Sequence, residues 1–234
     1  RILQALAYYW TGRHFIGERC AREVVRQQPA GSELRSYAVC MAVMGASQIG
    51  LFDDYRAEVE AFLAFTPPLE GARRHLYRLA ILPFTLFCIS EYQLITDILA
   101  RLDSLSHVVP NDPVRHAYRV YMQANVHFYL DADPWKAVVL DRQALALFEQ
   151  LGDLSMVHTT RGILALHALG LGDVEAAAPL WREALENRDV SSISTESWFH
   201  YARLLYLAQT ENFTQVPAAG TAAMDRLSTV DSLV

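Results

Sequence analysis

Residues 155–189 read SMVHTTRGILALHALGLGDVEAAAPLWREALENRD, and this stretch predicts two antiparallel helices joined by a tight turn. Gly172 and Asp173 fit the turn, because glycine tolerates the left-handed conformation after a helix and aspartate caps the next one. Pro179 is the exception, since proline is poorly tolerated beyond the first turn of a helix. Small residues stand where the two helices would cross, namely Ala165, Ala177 and Ala184. The stretch therefore predicts a closely packed helical hairpin.

The same pattern recurs along the whole chain at intervals near forty residues. The equivalent second-helix positions are Gly17, Tyr55, Ile95, Ala137, Ala177 and Val216, which are spaced by 38, 40, 42, 40 and 39 residues. Helix-breaking or polar segments separate the units at 28–32, 66–68, 109–113, 150–153 and 187–194. No strand-like alternation bounded by hairpin turns occurs. We therefore predict an all-α chain of about twelve helices in six pairs, stacked in one right-handed solenoid.

The segment LGDVEAAAPLWREAL at 171–185 resembles the tetratricopeptide repeat (TPR). A repeat near forty residues is longer than the roughly 34 of that family, and Asp189 stands where the family usually has proline. With the phrase ALALFEQLGD at 144–153, the chain resembles the repeat tails of bacterial LuxR-type and maltose-regulator-type ATP-dependent transcription regulators and related signalling proteins. The resemblance implies a TPR-like α-α solenoid with a binding role in signal transduction or transcription regulation.

Composition excludes several classes of protein. With 234 residues, of which 52% are hydrophobic and 20% charged, the chain is globular rather than disordered. A net charge of −6 does not indicate a nucleic-acid-binding surface. The three cysteines are far apart, which favours a reducing, cytoplasmic setting without disulfides. No apolar run is long enough to predict a membrane span. The regular repeat leads us to expect a single domain over 1–234. The first residue is Arg1 rather than Met, so we also expect the chain to be a fragment of a longer protein.

Catalytic motifs are missing from the sequence. There is no GxSxG, no HExxH and no phosphate-binding P-loop, and the eight histidines lack the spacing of a metal pair on one helix face. We therefore expect no enzyme activity, no metal and no cofactor. An enzyme with an unrecognised site is the alternative class.

The resemblance implies that the first helix of each pair lines a concave face, and this gives the candidate binding residues. They are Tyr77, Phe84, Phe87, Arg119, Met122, Gln123, Tyr129, Trp198 and Tyr201, with Tyr37, Arg74, Arg78 and Arg115 close to the same rows. Aromatic walls with a few arginines suit a peptide, a planar ligand or an anionic group. We expect Arg119 and Tyr129 to be the main contacts. The alternative is that these side chains fill the groove themselves, because aromatic residues at helical spacing also form cores.

These observations predict a non-catalytic scaffold, the sensor or regulatory domain of a bacterial signalling or transcription-regulatory protein. A protein or peptide partner, or a small-molecule effector, would occupy the concave groove, and we expect no direct contact with nucleic acid or membrane. The alternative is a self-association module, because the terminal repeats of a solenoid expose apolar faces unless they are capped. The first helix, ILQALAYYW, and the weakly polar tail at 221–234 are the candidate faces for a homo-oligomer.

Overall fold

The computed structural model describes residues 1–105, 107–108, 110–186 and 193–228, and the side chains of some helical residues within these ranges lie outside the description. Twelve α-helices occur in the described residues: α1 (Ile2–Trp10), α2 (His14–Gln27), α3 (Glu33–Gln48), α4 (Arg56–Ala64), α5 (Leu69–Cys88), α6 (Tyr92–Ser104), α7 (Pro113–Tyr129), α8 (Pro134–Leu151), α9 (Leu154–Gly170), α10 (Val174–Glu186), α11 (Ile193–Gln209) and α12 (Val216–Ser228). Short 3-10 turns at Phe52–Tyr55 and Phe213–Gln215 precede α4 and α12. The described residues contain no strand, so the all-α class is confirmed.

The predicted breaks coincide with connections between helix pairs. The segments 28–32, 66–68 and 150–153 join α2 to α3, α4 to α5, and α8 to α9. The segment 109–113 precedes α7, although Val109 lies outside the described residues, and most of 187–194 lies outside them as well. The residues that interrupt the helical pattern thus place the chain reversals.

The turn between α9 and α10 has the conformation that its residues predict. Gly172 has a φ of +76°, which is the left-handed region that favours glycine. The carboxylate of Asp173 accepts a hydrogen bond from the backbone N–H of Ala176 at 3.1 Å and caps α10. Pro179 lies inside α10, which continues to Glu186. A helical hairpin is therefore present over α9 and α10, as predicted, and residues 187–189 of the predicted stretch lie outside the described residues.

The chain forms two compact units, residues 1–119 and 120–234, with the boundary inside α7. In the first unit, α1 packs on α2 and α3, α2 packs on α3, and α5 packs on α3 and α6. In the second unit, α9 packs on α8, α10 and α11, and α11 packs on α10 and α12. Within each unit, the first helices of successive pairs therefore contact one another. The single domain over 1–234 stays a prediction.

A glycine, Gly162, allows α9 and α11 to pack closely in the second unit. A Cβ atom at Gly162 on α9 would lie 2.4 Å from a ring carbon of Phe199 on α11. Phe199 is fully buried, so it has little room to move away. Ala165 and Ala177 are fully buried as well, as the repeat pattern predicted. Glycine at position 162 therefore sets how closely α9 and α11 pack.

Candidate functional site

The predicted binding residues divide between the two units. Tyr77, Phe84, Phe87 and Arg119 belong to residues 1–119, whereas Met122, Gln123, Tyr129, Trp198 and Tyr201 belong to residues 120–234. The side chains of Phe84 and Trp198 lie outside the description. The first unit brings several of the predicted groups together, and that cluster is the candidate site.

A pair of tyrosines forms the aromatic part of the cluster. Tyr77 on α5 and Tyr118 on α7 meet edge to face, with ring centroids 5.4 Å apart and an interplanar angle of 83°. Their hydroxyl oxygens are 3.5 Å apart, at the limit of a hydrogen bond. Tyr118 is buried, whereas 39% of Tyr77 is exposed. The buried ring therefore holds the exposed one in place, which lowers the entropy cost of using Tyr77 as a contact.

Two arginines of α5 are close to Tyr77 along the helix, and both lie within ion-pair distance of the Glu33 carboxylate, Arg74 at 2.6 Å and Arg78 at 3.6 Å. The Cζ atom of Arg78 is 5.0 Å from the centroid of the Tyr37 ring on α3, a cation–π distance. Arg78 also donates to the backbone carbonyl of Glu33 at 3.0 Å. Arg74 donates to both carboxylate oxygens of Glu33, at 2.6 and 2.7 Å. We call Tyr37, Arg74, Tyr77, Arg78 and Tyr118 the tyrosine–arginine face.

The electrostatics of this face favour an anionic ligand. The hydrogen bond from Arg74 lowers the pKa of Glu33, so this carboxylate is charged at neutral pH. One carboxylate thus faces two guanidinium groups, which leaves an excess of one positive charge. Burial raises the pKa of the Tyr37 hydroxyl, so that ring stays neutral. The face therefore combines neutral aromatic surface with an uncompensated cation.

Arg119, one of the two expected main contacts, already has a partner within its unit. Its Nε and Nη2 donate to the two carboxylate oxygens of Asp103, at 2.6 and 3.1 Å. A ligand carboxylate at Arg119 would have to displace Asp103. Arg115, one turn earlier on α7, is half-buried, and its Nε has no hydrogen-bond partner among the described residues. Phe87 is half-buried, and its ring centroid lies 6.5 Å from that of Tyr92.

One predicted binding residue of the second unit is corrected by the structure. Met122 is fully buried, so it belongs to the core and cannot line an accessible groove. Gln123, its neighbour, is half-buried. Tyr129 and Tyr201 are 37% and 52% exposed, and the Tyr129 ring packs edge to face on Phe128 at 5.0 Å. Tyr129 and Tyr201 thus reach the surface, whereas Met122 does not.

A buried polar pair in the second unit was not predicted from the sequence. Asp141 on α8 and His167 on α9 are both fully buried, with Oδ2 of Asp141 2.5 Å from Nδ1 of His167. Burial raises the pKa of Asp141 against the opposing effect of His167. The helical spacing does indicate that Asp141 is buried, because it occurs in the same row as Ala137, Ala144 and Phe148, which are all buried. A carboxylate in such a row requires a buried partner.

Asn125 is a buried polar residue on α7. Its side-chain amide donates to the backbone carbonyl of Tyr121, one turn earlier, at 2.8 Å. The buried amide therefore has a hydrogen-bond partner inside its own helix.

Neither the described residues nor comparison with known proteins adds a metal site, a membrane span or a family to this description. The part of the chain that the structure describes contains no group of three or more histidine, cysteine or acidic residues placed to hold a metal. Of the helices in that part, none combines the length and the apolarity needed to cross a bilayer. No family model matches the chain, and no curated protein matches it either.

Proposed function

We propose that the chain is a non-catalytic, TPR-like binding scaffold, the sensor or regulatory part of a larger bacterial signalling or transcription-regulatory protein. We propose further that the tyrosine–arginine face binds an acidic peptide segment of a partner protein. The observation that carries the proposal is a partly exposed Tyr77 on the same helix as two arginines, Arg74 and Arg78, that share the one carboxylate of Glu33. The regular repeat and the lack of catalytic motifs support the scaffold class.

The size of the face favours an extended ligand. Its residues come from three first helices, α3, α5 and α7. Neighbouring packed helices are about 8–10 Å apart, so three of them span on the order of 20 Å. An extended peptide covers that distance with about six residues. Aromatic rings would contact its apolar side chains, and Arg74 would pair with an acidic one in place of Glu33.

A display experiment tests this proposal. A library of random twelve-residue peptides is selected on the purified chain, and the enriched peptides are measured by fluorescence anisotropy against Arg74→Ala and Tyr77→Ala. We expect enrichment of aspartate and glutamate, and affinities about tenfold weaker for each variant, because a charge-assisted hydrogen bond or an aromatic anchor is lost. Trp135→Ala and Arg142→Ala, which alter exposed residues of the second unit, are the controls. Peptides without acidic preference that bind all four variants equally would refute the proposal.

Self-association is the second candidate function, and exposed apolar residues near the start of the chain favour it. Leu3 and Trp10 on α1 and Phe15 on α2 are 73%, 41% and 53% exposed. Where exposed apolar residues form one patch, the patch is typical of a protein interface. Light scattering on the full chain tests the idea. A dimer that dissociates in Leu3→Gln/Phe15→Ser supports it, and a strict monomer at high concentration rejects it.

A further inference from the structure

Helix α2 presents three arginines to one cleft in the first unit. Arg19, Arg22 and Arg26 are spaced i, i+3 and i+7, which places them along one face of a helix. They line a cavity of about 480 Å³ together with Arg1, Ile16, Cys20, Glu23 and Gln27. We call this cavity the α2 cleft. It shares no residue with the tyrosine–arginine face.

The central arginine of the cleft is held rigidly from behind. Nε of Arg22 donates to Oε1 of Glu18 at 2.6 Å and to the hydroxyl of Tyr55 at 2.8 Å. Glu18 is almost fully buried, and the Tyr55 hydroxyl donates to the same carboxylate oxygen. These contacts fix the orientation of the guanidinium group. Although burial opposes the charged form, the hydrogen bonds to Glu18 and Tyr55 raise the pKa of Arg22, so it stays cationic.

The two flanking arginines have no counter-ion. Arg19 and Arg26 are exposed, and neither makes an ion pair among the described residues. By contrast, Arg1 pairs with Glu23 at 3.0 Å, and Arg22 pairs with Glu18 and, at 3.3 Å, with Asp54. Four arginines thus face three carboxylates, those of Glu18, Glu23 and Asp54, which leaves the cleft an excess of one positive charge in a chain whose net charge is −6.

We propose that the α2 cleft binds a small, multiply charged oxyanion, a metabolite that carries phosphate or carboxylate groups. The planar guanidinium group matches both kinds of oxyanion with two parallel hydrogen bonds. Arg22 provides a fixed donor in the centre, and Arg19 and Arg26 close on the ligand from either side. The cavity is large enough for a ligand of small-metabolite size. Such a site gives the scaffold an effector input that is separate from its peptide-binding face.

Isothermal titration calorimetry on the full chain tests the site with two probes, inorganic pyrophosphate and citrate. We expect at least one of them to bind, and we expect Arg19→Ala/Arg26→Ala to weaken its affinity by about a hundredfold, or about tenfold for each lost charge-assisted contact. Since both side chains are exposed, and among the described residues Arg19 contacts only the exposed Phe15 ring at 6.0 Å, the double variant should fold like the wild type. Arg142→Ala on α8, an exposed arginine outside the cleft, should leave the affinity within twofold.

The two probes separate the sources of the ligand chemistry. Binding of pyrophosphate alone assigns the cleft to phosphate-bearing metabolites, and binding of citrate alone assigns it to polycarboxylates. If neither probe binds at millimolar concentration, the proposal is wrong. It is equally wrong if a probe binds Arg19→Ala/Arg26→Ala as tightly as it binds the wild type. The α2 cleft and the tyrosine–arginine face share no residue, so failure of peptide binding at that face would not change the expected binding of pyrophosphate or citrate.

Discussion

Each unit buries a histidine, and the two histidines differ in what surrounds them. His167 in residues 120–234 lies against a carboxylate, that of Asp141. His75 in residues 1–119 is 2% exposed, and neither of its ring nitrogens has a hydrogen-bond partner among the described residues. Its neighbours are the rings of Phe62 and Phe65, with centroids at 4.4 and 5.4 Å. Burial alone therefore does not define the role of a histidine, because the partner decides whether it links helices or fills space.

The charges around the two histidines differ in the same way. Burial lowers the pKa of His75 to about 4, and the nearby Arg101 and Arg78 lower it further in the same direction. In the second unit, burial raises the pKa of Asp141, and the group that faces this carboxylate is the imidazole of His167. We expect acid to destabilise the first unit through His75 and loss of the Asp141 carboxylate to destabilise the second, where burial also lowers the pKa of His158.

The largest effect should follow from removing the partner in the second unit. Asp141→Ala leaves His167 buried without its carboxylate, and we expect the free energy of unfolding to fall by about 4 kcal/mol. Urea denaturation followed by circular dichroism at pH 7 measures this. The double variant Asp141→Ala/His167→Leu should be more stable than the single one, because no polar group is then left unpaired. A single variant within about 1 kcal/mol of the wild type would contradict the importance of the pair.

A smaller effect should appear in the first unit, and only in acid. Because the folded-state pKa of His75 is about 4 and the unfolded value is about 6.5, its contribution to stability is present above the unfolded pKa and is lost as the pH falls. His75→Leu removes this loss. Between pH 7 and 4.5 the variant should gain about 2 kcal/mol relative to the wild type. Urea denaturation at several pH values measures it, and His116→Gln at an exposed position is the control. An unchanged difference across this range would show that His75 does not titrate with folding.

The smallest effect should come from the aromatic neighbour of His167. The ring of Phe128 stacks on His167, with centroids 4.0 Å apart and an interplanar angle of 20°. Phe128→Leu keeps the site apolar but removes the stacked ring, and we expect a loss of about 1 kcal/mol. In the Asp141→Ala background the same change should cost a different amount, because the residues are in contact. Strict additivity of the two changes would argue against a coupled cluster.

The helical organisation was accessible from the sequence because it depends on local rules repeated six times. Residues that break helices, such as those at 28–32 and 66–68, act through the backbone, whatever they pack against. The cap at Asp173 is equally local. The boundary inside α7 between the two compact units was not predicted, because it depends on contacts between residues far apart in sequence.

The candidate site was only partly accessible, for a physical reason. Tyr77, Arg74 and Arg78 were predicted from their rows on α5, and in the structure both arginines contact Glu33 while Arg78 lies over the Tyr37 ring. Met122 was placed wrongly because α7 carries apolar residues on most of its faces, so helical spacing cannot tell a groove from a core. The partner of Arg119, Asp103, comes from another helix, and no local pattern announces such an ion pair.

A charge-swap measurement tests the central claim, that the tyrosine–arginine face binds an acidic peptide, most directly. Fluorescence anisotropy gives the affinity of the strongest selected peptide for the wild type and for Arg74→Glu. The same two proteins are then measured with a set of peptides in which each acidic residue is replaced in turn by lysine. We expect Arg74→Glu to weaken the parent peptide by about tenfold or more, and one lysine peptide to regain most of that affinity on Arg74→Glu alone. Parent binding within twofold on Arg74→Glu, or no lysine peptide that recovers it, would contradict the claim.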